Sequence, residues 1–292
     1  MTIINFQHKN DTTNLFKLEG SVVDFEMKEE RLEHFRDKKG IYKVNEEGEI
    51  IAGLGIVGHQ YPLHTHKAFF LQQQEMLARK FPVGHLEDLK VDYKISRGGA
   101  WALQDITFPN VRFPIENRKH KTEVSLRNVL WHSVDGSASN NALFGAIDFF
   151  CSNGMITGQY DVVRKKNTKN FDMRRFIDEI EKSVEEFHLT ARKYQAWANR
   201  DITFQNAEDV VESLPVADRN KVKLLNIYQQ EATIRGNNLW ALYSSFTNYS
   251  SHTDNGFTIR KTTSDHTAQT MLKREFEVAS WVENEEFVRL AA

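Results

Sequence analysis

Residues 122–160 read TEVSLRNVLWHSVDGSASNNALFGAIDFFCSNGMITGQY, and the fold is decided there. Two apolar runs, residues 124–134 and 142–151, flank the polar tripeptide Asp135-Gly136-Ser137. Asp and Gly tolerate the positive φ of a tight connection, so the tripeptide reads as a turn. The runs beside it are rich in β-branched and aromatic side chains, which suit a pleated, half-buried surface. Asn153-Gly154 is a second turn signal, and residues 155–163 form a third extended run. The stretch therefore predicts three strands joined by two turns.

Upstream, residues 41–44, a turn at Glu47-Gly48 and residues 49–57 predict a β-hairpin, with Gly53 and Gly55 marking a bulge or a close backbone approach. The string GLGIVG at residues 53–58 lacks the spacing of a phosphate loop and leads to Pro62 rather than into a helix, which sets a dinucleotide site aside. Residues 26–39 are dense in Glu, Lys and Arg and read as a solvated helix or mobile arm, so residues 1–40 are expected to be a mixed-charge N-terminal segment. Thr65 is the expected N-cap of a helix over residues 66–81 that stops before Pro82. Residues 91–96 and 100–108, joined around Arg97-Gly98-Gly99, predict a second hairpin. Residues 110–121, with Pro109, Pro114 and a basic run, read as a mobile loop.

Downstream, apolar side chains at Phe176, Ile180, Val184, Phe187, Ala191, Tyr194 and Trp197 fall on one stripe and predict a helix over residues 172–199. Such a helix is long enough to lie across a whole sheet. Further helices are expected over residues 207–214, 219–234, 237–250 and 267–282, the last capped by Asp265. Trp240, Tyr243, Phe246 and Tyr249 recur at steps of three, which is a core pattern more often than a base-stacking platform. The expected class is α+β: an antiparallel β-sheet packed by a long amphipathic helix over residues 41–200, then a helical C-terminal part over residues 201–292.

The chain has 292 residues, 40% of them hydrophobic, and a formal net charge of −2, so no global field draws it to nucleic acid or membrane. Any such surface has to be local. The one cysteine, Cys151, excludes an intramolecular disulfide framework and fits a reducing compartment. Beside Phe149 and Phe150 it reads as a buried, inert thiol. No apolar run approaches the ~20 residues of a membrane span, and the polar N-terminus is unlike a secretory signal. The expectation is a soluble, cytosolic protein, away from membranes.

The sequence contains no G-x-S-x-G, Walker loop, H-E-x-x-H or C-x-x-C. His59, His64, His66 and His85 lie close together, but no carboxylate or Cys completes a ligand spacing, so neither metal nor cofactor is expected. His132, Asp135 and Ser137 are residue types of acyl transfer, yet neighbours on a strand alternate faces and the turn itself accounts for Asp and Gly. His252 and Asp254 follow the aromatic helix without deciding anything.

The positive signal is local charge. Arg164, Lys165, Lys166, Lys169, Arg174 and Arg175 stand against Asp172 alone. A second basic set comprises Arg112, Arg118, Lys119, Lys121 and Arg127. Both border the central strands, where cations near aromatics suit a groove for single-stranded nucleic acid. Such contacts position a backbone without reading its sequence. A solvated loop fits the same residues.

Several short motifs occur in a fixed order: Val57-Gly58-His59-Gln60-Tyr61-Pro62, then His132-Ser133-Val134-Asp135-Gly136-Ser137, then Cys151-Ser152-Asn153-Gly154-Met155. After the long helix come Asn238-Leu239-Trp240-Ala241-Leu242-Tyr243 and Asn248-Tyr249-Ser250-Ser251-His252. In this order the chain resembles the phage- and plasmid-related domain of unknown function found in bacteriophages, prophages and conjugative elements. The resemblance implies a mobile-element origin and carries no established catalytic residues. At the level of architecture, the sheet and long helix also look like the core of Rad52-type single-strand annealing proteins. The leading expectation is a non-catalytic protein that binds, and anneals, single-stranded DNA in phage recombination or replication, acting as a homo-oligomer. An interaction protein that modulates a host or defence factor comes second, and a metal-dependent hydrolase third.

Overall fold

The structure, a computed structural model, describes residues 18–148, 154–155, 162–165, 186–252 and 267–292. Its first strands, β1 (Glu26–Leu32), β2 (Phe35–Val44) and β3 (Ile50–Gly58), make an antiparallel sheet of their own. The hairpin expected around Glu47-Gly48 is present, with Gly48 at a φ of 80°. The charged segment 26–39 departs from expectation: it is strand, and the boundary drawn at residue 40 falls inside β2. Among the described strands β1 is an edge strand, and an exposed edge carries charge because charge discourages pairing with other chains. That composition hid the alternation that pairing with β2 imposes.

This small sheet packs through Ile41, Leu54 and Val57 against Ala100 and Val134. At Gly55 a Cβ would lie 2.6 Å from the Cβ of Asp135 and 3.0 Å from its Cα, so the close backbone approach anticipated there is real. The helix α1 (His66–Lys80) begins where Thr65 Oγ1 accepts from the Ala68 N–H at 3.1 Å, and it ends before Pro82 as expected. A single turn, α2 (Val83–Leu86), leads into the main sheet.

Among the described residues that sheet has six strands, all antiparallel: β4 (Lys90–Ser96), β5 (Trp101–Glu116), β6 (Lys121–Ser133), β7 (Asn140–Asp148), β8 (Gly154–Met155) and β9 (Val162–Lys165). The β6–β7 hairpin closes through Gly136 at a φ of 70°, and β8 and β9 both pair with the outer side of β7. Residues 110–116 correct the mobile-loop expectation, since they continue β5. The prolines misled because each occupies a permitted strand position. Pro109 sits in the bulge where the register shifts between Phe108 and Arg112, and Pro114 lies beyond Thr107, the last residue of β5 paired with β4.

Alternation along the strands divides two cores. Leu103, Val129, Trp131 and Leu143 meet Ala268 and Ala279 of α7 (Thr267–Trp281). The opposite face, with Ala102, Ile106, Leu126 and Leu130, packs against α1 and the helical part. The latter consists of α3 (Phe187–Ala198), α4 (Phe204–Ser213), α5 (Asp218–Arg235), α6 (Leu239–Ser251) and α8 (Glu285–Ala291). In α3, Phe187, Ala191, Tyr194 and Trp197 are buried as their stripe predicts; Phe176, Ile180 and Val184 lie outside the described residues, as do Cys151 and Asp265. Trp240, Tyr243, Phe246 and Tyr249 are core residues at 8% exposure or less. The class is α+β with a helical C-terminal part, and among the described residues no helix is long and apolar enough to cross a membrane.

Candidate nucleic-acid interface

The strand register separates the two basic segments. Lys121 pairs with Glu116 at one end of β6, whereas Arg164 and Lys165 pair with Asn141 and Asn140 at the level of Trp131, at the other. From residue 121 to residue 131 the chain advances about 33 Å at roughly 3.3 Å per residue. Lys121 and the pair Arg164 and Lys165 therefore lie at opposite ends of the sheet, with Arg112 and Arg127 in register positions between them. Lys166, Lys169, Arg174 and Arg175 lie outside the described residues.

Within the first segment the side chains divide again. Arg127 is 3% exposed and clamped between Asp105 and Glu275, each 2.7 Å away, so it is a structural cation rather than a phosphate ligand. Burial opposes its charge, but the two carboxylates outweigh burial and hold its pKa above the ordinary value. Burial raises the Glu275 carboxyl, against the downward pull of Arg127. Arg112 faces Glu123 at 3.1 Å, and Lys121 faces Glu116 at 3.2 Å. Arg118 and Lys119 are exposed and have no carboxylate partner among the described residues.

Arg118 and Lys119 sit on a turn that is held firmly. Asn117 Oδ1 accepts from the Lys119 and His120 N–H groups, both at 2.8 Å. Asn117 Nδ2 donates to the carbonyls of Ala198 at 3.1 Å and Arg235 at 2.9 Å, which ties the β5–β6 connection to the ends of α3 and α5. Next to it, Gln195 of α3 both accepts from the Glu116 N–H and donates to the Glu116 carbonyl, at 2.9 and 2.7 Å. Rigid attachment follows from these bonds.

Between the turn and those helix ends lies a cavity of about 680 Å³. Its walls come from residues 117–119, 198, 199, 201, 202 and 235–238. Gly236, at a φ of 92°, leaves room for the Lys119 stem, whose Cδ would be 3.4 Å from a Cβ there. Asn238 caps α6 by accepting from the Ala241 N–H at 2.9 Å and donates to the Arg235 carbonyl at 2.8 Å. Below, the Arg235 guanidinium is turned inward to Asp148 at 2.8 Å and Glu231 at 2.6 Å. Burial, then the charge of Arg235, lowers the pKa of nearby His120. Among the described residues Asp201 supplies the one carboxylate of the lining. Sequence reading placed Arg118 and Lys119 but gave Asn117 and Asp201 no role; Asn238 registered only within an ordered motif and Gly236 only as a helix break.

The histidines have a different destination. His66 and His132 are fully buried between α1 and β6, with their Nδ1 atoms 2.7 Å apart. His66 Nε2 lies 2.8 Å from the Gly99 carbonyl, and His132 stacks on Phe69 at 4.2 Å. Asp135 and Ser137 stay in the turn, where Asp135 accepts from Ser133, Ser137 and Trp101 and pairs with Arg97. Burial raises the Asp135 carboxyl, but those hydrogen bonds outweigh it and hold its pKa below the ordinary value. Among the described residues no group of three or more His, Cys, Asp or Glu is placed to hold a metal ion.

A family model described as "Domain of unknown function (DUF932)" matches residues 54–275, so the chain belongs to that family. Comparison with curated proteins and with solved structures gave no match.

Proposed function

We propose that this member of the DUF932 family binds single-stranded nucleic acid, with the strand's backbone crossing the turn at residues 117–120. The observation that carries this reading is the pair Arg118 and Lys119, exposed, unmatched by carboxylates among the described residues and held by Asn117 at the mouth of a cavity. The other basic residues of that segment, Arg112, Lys121 and Arg127, each face a carboxylate. A turn whose backbone is already fixed loses less entropy when its cations meet phosphate. Among the described residues no aromatic lines the cavity, so charge and hydrogen bonding rather than stacking would supply affinity. Annealing of complementary strands in phage recombination, by a homo-oligomer in a bacterial cytoplasm, extends the proposal; the antiparallel sheet packed by helices supports it by analogy with Rad52-type proteins.

Fluorescence anisotropy with labelled single-stranded DNA over a salt series tests the reading. Arg118→Ala combined with Lys119→Ala is expected to flatten the slope of log K against log salt by roughly 1.4, at about 0.7 per lost phosphate contact, and to weaken all sequences alike. An unchanged slope removes the turn from the interface. Absence of binding at low salt overturns the function.

A second reading, an interaction protein acting on another factor, is favoured by β3. Ile50, Ile51 and Ile56 are 45%, 56% and 65% exposed on a strand that carries no charge and, among the described strands, pairs only with β2. Ile51→Lys with Ile56→Lys is expected to abolish capture of a partner in pull-downs while DNA binding persists; equal capture by the variant would discard this reading.

A further inference from the structure

We infer that the cavity beside the turn accepts one nucleotide unit, with its phosphate on Arg118 and Lys119 and a hydrogen-bond donor of its base or sugar directed to Asp201. This rests on the nucleic-acid reading and names what the cavity itself holds. A phosphate alone needs neither the space nor the acid. The volume, about 680 Å³, falls in the range typical of small-molecule sites, roughly 300–1,000 Å³. A site shaped only for an anion would present donors throughout, whereas Asp201 places an acceptor charge in the same lining as the two cations. That mixture suits a ligand that is anionic at one end and donates at the other. A nucleotide does both: its phosphate takes the cations, and a carboxylate accepts from a cytosine amino group or a sugar hydroxyl.

The remaining walls fit the same chemistry. Ala198 and Ile202, both buried, supply the apolar part of the lining, and Asn237 is an exposed amide, while Asn199 donates from Nδ2 to the Gln195 carbonyl at 3.1 Å. Asn117 and Asn238 are already engaged by backbone groups, so they shape the wall instead of binding. Arg235 is likewise committed to Asp148 and Glu231 and leaves the phosphate to Arg118 and Lys119.

Isothermal titration of the full chain at low salt tests this, with cytidine monophosphate, cytidine, inorganic phosphate and a short single-stranded oligonucleotide as separate probes. Cytidine monophosphate is expected to bind at least roughly tenfold more tightly than either cytidine or phosphate. Asp201→Asn should weaken the nucleotide about tenfold and leave phosphate unchanged, since one well-placed contact to a base edge contributes on that scale. Arg118→Ala with Lys119→Ala should reduce the nucleotide to the level of cytidine. All three side chains are exposed, and circular dichroism serves to check that the variants fold. Equal binding of phosphate and nucleotide overturns the inference in favour of an anion site. Oligonucleotide binding without nucleotide binding overturns it while the strand reading stands. Nucleotide binding without oligonucleotide binding supports the pocket and sinks the strand reading; binding of neither removes both.

Discussion

Arg127→Ala is expected to cost about 3–5 kcal/mol of stability, a large share of the ~5–15 kcal/mol that holds a typical domain together. The guanidinium is buried, and it satisfies Asp105 through two hydrogen bonds, at 2.9 and 2.7 Å, and Glu275 through another at 2.7 Å. Truncation leaves one carboxylate fully buried and a second largely so, with no cation between them. The loss also unfastens α7 from the sheet, because Glu275 lies on that helix. Arg127→Met keeps the packing of the stem and is expected to recover only a small part of the loss, which separates charge from volume. Urea unfolding followed by circular dichroism measures both variants. If Arg127→Ala instead left stability within about 1 kcal/mol of wild type while lowering DNA affinity, Arg127 would return to the phosphate-binding set.

Why that residue was misread shows what a sequence can convey here. Arg127 belongs to a basic cluster on the page, and its second partner is 148 residues away, where no local pattern announces it. The β6–β7 hairpin was legible because alternation and turn chemistry are local properties of residues 122–148. The Thr65 cap and the α6 aromatic stripe were legible for the same reason, since caps and helical periodicity need only a few consecutive residues. Residues 26–39 misled because an edge strand is defined by what lies beside it, and its charges conceal the pleat. Residues 110–116 misled because proline is a loop signal unless a bulge or an open edge accommodates it. The cavity was half legible. Its cations stand out, but its walls come from three segments that only the tertiary fold brings together, and its acid, Asp201, is an ordinary residue in sequence.

The second large effect is expected in mild acid, before most carboxylates titrate. His66 and His132 are buried side by side, where burial deprives a charge on either ring of water. Burial lowers the His66 pKa from 6.5 to about 4, against the raising effects of the Gly99 carbonyl and of Asp135. Burial, then repulsion from His66 and His64, lowers His132 well below 6.5. The sign follows from which state takes up protons. Above the unfolded value near 6.5 both states are neutral and the native state has its full stability; below it the unfolded chain binds protons that the native chain refuses. Stability therefore falls as pH drops from 6.5 toward 4, by about 3 kcal/mol for His66 alone at ~1.4 kcal/mol per pKa unit, with His132 adding to it. The lowered carboxylates Asp24 and Asp135 start from 3.8, so their losses come only at lower pH. Urea midpoints at pH 7, 6 and 5 give the measurement. His66→Gln, with no titrating ring, should be less stable than wild type at pH 7 yet lose less between pH 7 and 5. A wild-type midpoint that stays flat over those two units would show that the native pair takes up protons as readily as the unfolded chain, and the dry, neutral pair beneath α1 would have to be abandoned.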